Sequence, residues 1–201
     1  VDNETVVIES SNWGKTGVPV NNTFGNREWG VILENKTLAS YLLEIFLNDY
    51  NLSRPDVSCY NESIHNLEID HFVIDYSIPN GFYMPRFKPM SIKGMFNVSI
   101  ILSPDNSLSG ILDLIRSANS SIYIEQLYIY HSWEEKLNPL ITELVNKSKN
   151  GVDVKVILNY NPEYEHTNSM NNETIFYLRN NSIEAKYVFK NWSYFTNIHN
   201  K

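Results

Sequence analysis

The sequence predicts an α/β protein with a mixed, largely parallel sheet flanked by helices. Three observations carry that. From residue 96 onward, β-branched and aliphatic runs alternate with amphipathic stretches of helical period, the rhythm of βαβ units. The runs at 121–130 and 152–158 are apolar along much of their length, as strands inside a parallel sheet are. Across 201 residues, 42% hydrophobic and 13% aromatic content is that of a folded chain, long enough for one sizeable core or for parts of two.

Taken in order, residues 5–8 are a short β-branched run and read as a strand. Residues 14–25, with Gly14, Gly17 and Gly25 around Pro19 and Asn21-Asn22, read as a loop. Residues 29–33 read as an apolar strand. The stretch 36–50 reads as a helix, with Leu38, Tyr41, Leu42, Ile45 and Phe46 at spacings of three and four and Asn35 placed to cap it. Residues 51–95 carry Pro55, Pro79, Pro85 and Pro89 and alternate like a strand only at 71–76, so they read as a connector. Phe82, Tyr83 and Phe87, beside Arg86 and Lys88, are expected to pack that connector against the body, with the lining of a substrate entrance as the rival reading. Thereafter come a strand at 98–102, a helix at 107–119, a strand at 121–130, a helix at 134–149 closed by Asn150-Gly151, and a strand at 152–158. A helix at 171–180, a strand at 183–188 and a short strand at 194–198 complete the chain.

The net charge of −7 provides no basic stripe to neutralise phosphates along a duplex, which argues against nucleic acid. No run of about eighteen uninterrupted apolar residues reads as a membrane-spanning helix. Cys59 is the one cysteine, so no internal disulfide forms. Eleven Asn-x-Ser/Thr triplets begin at Asn3, Asn21, Asn35, Asn51, Asn61, Asn97, Asn119, Asn146, Asn172, Asn180 and Asn191. With 27 Asn and 28 Ser plus Thr, chance gives about 4 such triplets. The excess is what a glycosylated protein outside the cytoplasm or at the cell surface shows.

The residues that carry chemistry sit at the two ends. The chain finishes His199-Asn200-Lys201, and it opens with Asp2, six residues, and then Glu9-Ser10-Ser11-Asn12. These pieces resemble the signature of the phospholipase D superfamily: His-x-Lys, four residues, Asp, six residues, Gly-Ser-x-Asn. The order is inverted, as expected if family members carry the signature twice and this chain runs from the Asp of the first copy to the His-x-Lys of the second. The loop after Asn12, then Asn26-Arg27-Glu28 before an apolar strand, follows the family order too. Glu9 stands where the family prefers glycine and puts the tightness of that turn in doubt. On this resemblance residues 1–50 are the C-terminal part of a first half, 51–95 the connector and 96–201 the N-terminal part of a second half.

A phosphodiester repels nucleophiles through its charge, and the family answers with an imidazole that attacks phosphorus and a second that protonates the leaving oxygen. The resemblance implies His199 as that acid and Lys201 as the cation on the nonbridging oxygens, joined by Asn12 and, more loosely, Ser10. It implies Asp2 as the aspartate of the motif and Glu28 as the carboxylate orienting a histidine. It calls for no cofactor and no metal, and no cluster of His, Cys and carboxylates stands at ligand spacing. His65, His71, His131 and His166 lack spaced partners and read as surface or core residues.

The expected activity is that of a phosphodiester hydrolase or phosphatidyltransferase working through a phosphohistidine. Its substrate would be a phospholipid or other phosphodiester, met by peripheral membrane contact. A nuclease of the same superfamily and a noncatalytic binding module are the rival readings. Residues 1–201 lack the first His-x-Lys and are expected to be inactive alone. If the two ends pack together, within a chain or across a homodimer, three residues would bridge Lys201 to Val1, whose Cα atoms then lie within about 14 Å.

Overall fold

The computed structural model describes residues 1–59, 81–85, 87, 88, 90–189 and 197–199. The chain divides into two compact units, Val1–Glu9 with Trp29–Ile78 and Ser10–Glu28 with Pro79–Lys201.

In the first unit, β1 (Thr5–Glu9) pairs antiparallel with β2 (Gly30–Glu34), Val7 opposite Ile32 and Glu9 opposite Gly30. A Cβ on Gly30 would stand 3.2 Å from the Cβ of Glu9, so glycine lets that last pair close. Helix α1 (Lys36–Asp49) starts where the Asn35 side chain accepts the Leu38 N–H at 2.9 Å, which relieves one of the orphan donors of a first turn. Ala39 is its buried residue.

The second unit holds the main sheet. Strands β3 (Ser121–Gln126), β6 (Asp153–Tyr160) and β7 (Glu184–Phe189) are parallel, in the order β3-β6-β7. Each step in that order moves the same way across the sheet. Right-handed crossovers therefore put the connecting helices on one face. Those are α3 (Pro139–Lys149) and α4 (Glu165–Asn180), joined by α2 (Ser107–Ser117). Val154, Val156 and Leu158 of β6 meet Ile115, Ile141, Leu144, Ile175 and Leu178 in one core. The alternate residues Asp153 and Lys155 are exposed. The Asp153 carboxyl is held below the usual carboxylate range by the Tyr123 hydroxyl and then by Lys155.

Several sequence-derived elements require correction. Residues 98–102 form no strand, because the Leu102 N–H is taken by the Asn106 side chain at 2.7 Å and no described residue pairs with the run. The strand expected at 121–130 stops at Gln126. Beyond it, the Ile129 N–H and the Leu127 carbonyl go to the Asn171 amide, and the Ile129 carbonyl to the Thr174 hydroxyl. The helix expected from 134 begins at Pro139. Ahead of it β4 (Ser132–Trp133) and β5 (Lys136–Leu137) form a hairpin turned by Glu134 and Glu135, both at positive φ. Glu-Glu-Lys-Leu favours helix locally, but Asn138 caps Leu140 and Pro139 suits the first helical position, so the helix starts there. Helix α4 starts six residues before the expected 171, at Glu165. The strand expected at 71–76 lies outside the described residues, as does 194–196.

Leu178 is fully buried and Phe176, two residues away on α4, is 70% exposed. Leu178→Ala is expected to cost about 3 kcal/mol, read as a lowered denaturant midpoint at unchanged slope. Phe176→Ala should stay within about 0.5 kcal/mol of the parent.

Candidate functional site

Two short segments from opposite ends of the sequence lie side by side in the second unit. The Arg27 N–H donates to the Asn197 carbonyl at 2.8 Å, and the His199 N–H donates to the Arg27 carbonyl at 3.1 Å. These two bonds make a parallel bridge between Arg27 and Ile198. Ile198 is 1% exposed. Alternation along an extended chain turns His199 to the face opposite Ile198, as it turns Glu28 opposite Arg27.

There the two side chains meet. Nδ1 of His199 stands 2.9 Å from Oε1 of Glu28, with the imidazole 14% and the carboxylate 8% exposed. The distance is that of an ion pair, while the ring nitrogen is not aligned for a linear hydrogen bond. The other carboxylate oxygen, Oε2, accepts the Ser10 hydroxyl at 2.6 Å, and Asn26 Nδ2 approaches Oε1 at 3.4 Å. A carboxylate this buried needs such partners, and Ser10 supplies the short one. With Nδ1 turned towards Glu28, Nε2 is the nitrogen left for chemistry.

A set of buried asparagines seats the segment that carries His199. Asn159, at 1% exposed and near the end of β6, accepts the Ile198 N–H on Oδ1 at 3.0 Å and donates from Nδ2 to Asn197 Oδ1 at 3.3 Å. Asn161 Nδ2 donates to the same Asn197 oxygen at 2.9 Å. Behind them Asn168 exchanges two bonds with the Asn161 backbone, and Asn171 Nδ2 donates to the Asn159 carbonyl at 2.9 Å. Segment 197–199 is thus gripped by the Arg27 backbone and by the Asn159 side chain. Sequence reasoning missed this set. The available signal was helical: Asn168, Asn171 and Thr174 continue the stripe of Ile175 and Leu178, which puts polar residues at core positions of α4.

Of the residues singled out from the motif, the structure brings Ser10, Glu28 and His199 together. Asn12 is exposed in the following loop, where its carbonyl accepts the Gly14 N–H at 2.8 Å. A Cβ on Gly17 would come 2.1 Å from that carbonyl, so the loop closes only over glycine. Asp2 is exposed in the turn before β1, at a φ of 51°, and Glu9 is exposed at the end of β1, both in the first unit. Lys201 lies outside the described residues, and so does the expected approach of Lys201 to Val1.

Among the other candidates, His131 is half-buried against the Tyr177 ring at 4.9 Å, and its Nε2 has no hydrogen-bond partner among the described residues. His166 is exposed, and His65 and His71 lie outside the described residues. The Arg27 guanidinium lies over Tyr83 and Phe87, at 5.3 and 5.5 Å from the ring centroids, and donates to the Tyr83 hydroxyl at 2.9 Å. Two of the three connector aromatics therefore grip the residue beside Glu28. Among the described residues no group of three or more His, Cys, Asp or Glu side chains could hold a metal ion.

Residues 111–201 match the family model described as cardiolipin synthase, PLD-like domain. The match takes in His199, Lys201 and the asparagine set. No curated protein and no solved structure matches the chain.

Asn159→Ala removes the acceptor of a buried N–H and the donor to a buried amide oxygen. A loss of about 1–3 kcal/mol is expected. Hydrogen exchange checks the local part: the Ile198 amide should exchange faster in the variant by more than the global loss accounts for.

Proposed function

We propose, from the premise that this chain belongs to the phospholipase D superfamily through residues 111–201, that the Ser10–Glu28–His199 line is the acid end of a phosphodiester-cleaving site. The contact between His199 Nδ1 and Glu28 is the observation that carries the reading. A phosphodiesterase-type enzyme is the coarse statement that the family supports. The finer one is a hydrolase or phosphatidyltransferase acting on phospholipid or another phosphodiester through a covalent phosphohistidine.

In that scheme an imidazole attacks phosphorus, and His199, protonated, gives its Nε2 proton to the departing oxygen. The P–N bond forms as the P–O bond breaks, and the proton goes to the alkoxide. His199 then takes a proton from water or an alcohol, which attacks phosphorus and releases the first imidazole. Glu28 stabilises the imidazolium while it exists and holds the ring in register. Lys201 and Asn12 neutralise the nonbridging oxygens, where charge grows in the transition state. Asp2 is assigned to the same motif. Ser10 reaches a phosphate only by releasing Glu28, since its hydroxyl proton is committed to that carboxylate. The attacking imidazole on this reading belongs to another His-x-Lys, since His199-Asn200-Lys201 is the one in residues 1–201. Peripheral contact with a membrane, a homodimeric arrangement and a location outside the cytoplasm belong to the same proposal.

The test uses the full-length protein against a phospholipid, a fluorogenic phosphodiester and single-stranded DNA. His199→Ala is expected to abolish turnover on whichever substrate the parent cleaves, and full activity in that variant would remove the assignment. Glu28→Gln keeps the shape and removes the charge, and should lower kcat by about 10²–10⁴-fold with little change in KM. Ser10→Ala should cost only about tenfold if the hydroxyl serves Glu28, the size of one net hydrogen bond. A direct oxyanion contact would cost about 10²–10³-fold.

A further inference from the structure

Burial separates the asparagines of this chain into two populations. The structure describes nine of the asparagines that open an Asn-x-Ser/Thr triplet; eight are exposed and the ninth, Asn21, is half-buried. The six buried asparagines are Asn138, Asn159, Asn161, Asn168, Asn171 and Asn197, and none of them opens such a triplet. Thirteen described asparagines lie outside the triplet, so nearly half of that group is buried. A compositional excess of asparagine would scatter triplets over core and surface alike. An excess maintained for attachment keeps acceptor amides out of the core, because a glycan cannot enter a packed interior.

Local geometry narrows the set. Asn3 lies in the turn before β1, Asn51 just after α1, Asn97 in the irregular segment before α2, and Asn119 between α2 and β3. Asn51 forms an Asx turn in which its Oδ1 accepts the Ser53 N–H at 2.9 Å, and Asn119 donates one Nδ2 hydrogen to the Ser117 carbonyl at 3.1 Å and keeps the second. By contrast Asn172 lies in α4, and Thr174, the third residue of its triplet, is fully buried with its hydroxyl on the Ile129 carbonyl. The Asn35 triplet runs into α1, with Lys36 and Thr37 in its first turn.

We infer that Asn3, Asn51, Asn97 and Asn119 carry N-linked glycans. The step is transfer from a lipid-linked pyrophosphoryl oligosaccharide. A bond forms between the asparagine Nδ2 and the anomeric carbon of the first sugar as the bond from that carbon to the pyrophosphate oxygen breaks. The lipid pyrophosphate leaves with the bonding electrons, and one amide proton passes to the transferase. Such donors act on the extracytoplasmic side of a membrane, so the inference places these surfaces there. It holds whether or not the site performs the chemistry proposed above.

Protein purified from its native source is digested with a peptide amidase in ¹⁸O-water, which converts each glycosylated asparagine to ¹⁸O-marked aspartate, and the peptides are sequenced by mass spectrometry. Marking at two or more of Asn3, Asn51, Asn97 and Asn119, with none at the six buried positions, is the expected result. Recovery of three or all four as plain asparagine overturns the inference, as does marking at any buried position.

Discussion

The candidate site depends on how a short, buried piece of backbone is satisfied. Segment 197–199 has one edge against Arg27 and makes two backbone bonds there. Its inner N–H, that of Ile198, has no strand to meet. A backbone donor buried without an acceptor costs as much as a lost hydrogen bond. The Asn159 carbonyl oxygen fills that need from a side chain, and the nitrogen of the same amide holds Asn197. One residue thus does at this point what a further ladder would do elsewhere. The His199 backbone is located from both sides before its side chain makes any contact.

The sheet explains why those asparagines stand where they do. Parallel strands ordered β3-β6-β7 run the same way, so their carboxyl ends open at one edge. Residues that leave those ends are free to converge on a ligand, which is where α/β proteins place their sites. Here the exits are occupied by amides. Asn171 and Thr174 of α4 take the backbone of 127–129 as it leaves β3, and Asn171 also takes the Asn159 carbonyl at the end of β6. The helix stripe that packs the core at Ile175 and Leu178 becomes, one to two turns earlier, the support for the strand ends. Core packing and site positioning are successive parts of one helix face.

Much of this was legible in the sequence, and the misses share a cause. The α/β alternation, the three parallel strands, the Asn35 cap and the Asn150-Gly151 stop follow from local pattern. Attention to Ser10, Glu28 and His199 comes instead from the family resemblance, and the structure brings the three together. The misses lie where a distant side chain decides. Residues 127–130 have strand-like composition, yet Asn171 and Thr174 claim their backbone groups. The run 98–102 looks like a strand until Asn106 takes the Leu102 N–H. Residues 134–137 look helical until Pro139 and Asn138 set the start of α3. Asparagine recurs in these corrections, because its short amide competes with regular structure for backbone partners.

That choice of residue suits the chemistry it surrounds. An amide offers a donor and an acceptor without a charge, so burying Asn159, Asn161, Asn168 and Asn171 behind segment 197–199 avoids the desolvation that ionic partners would impose. It also leaves the local field simple. The charged groups in contact there are the Glu28 carboxylate and, when protonated, the His199 ring. A buried lysine or arginine in place of Asn159 or Asn161 would compete with His199 for Glu28. Neutral amides seat the segment that carries the imidazole without that effect. The amide dipoles are held in place by their own hydrogen bonds.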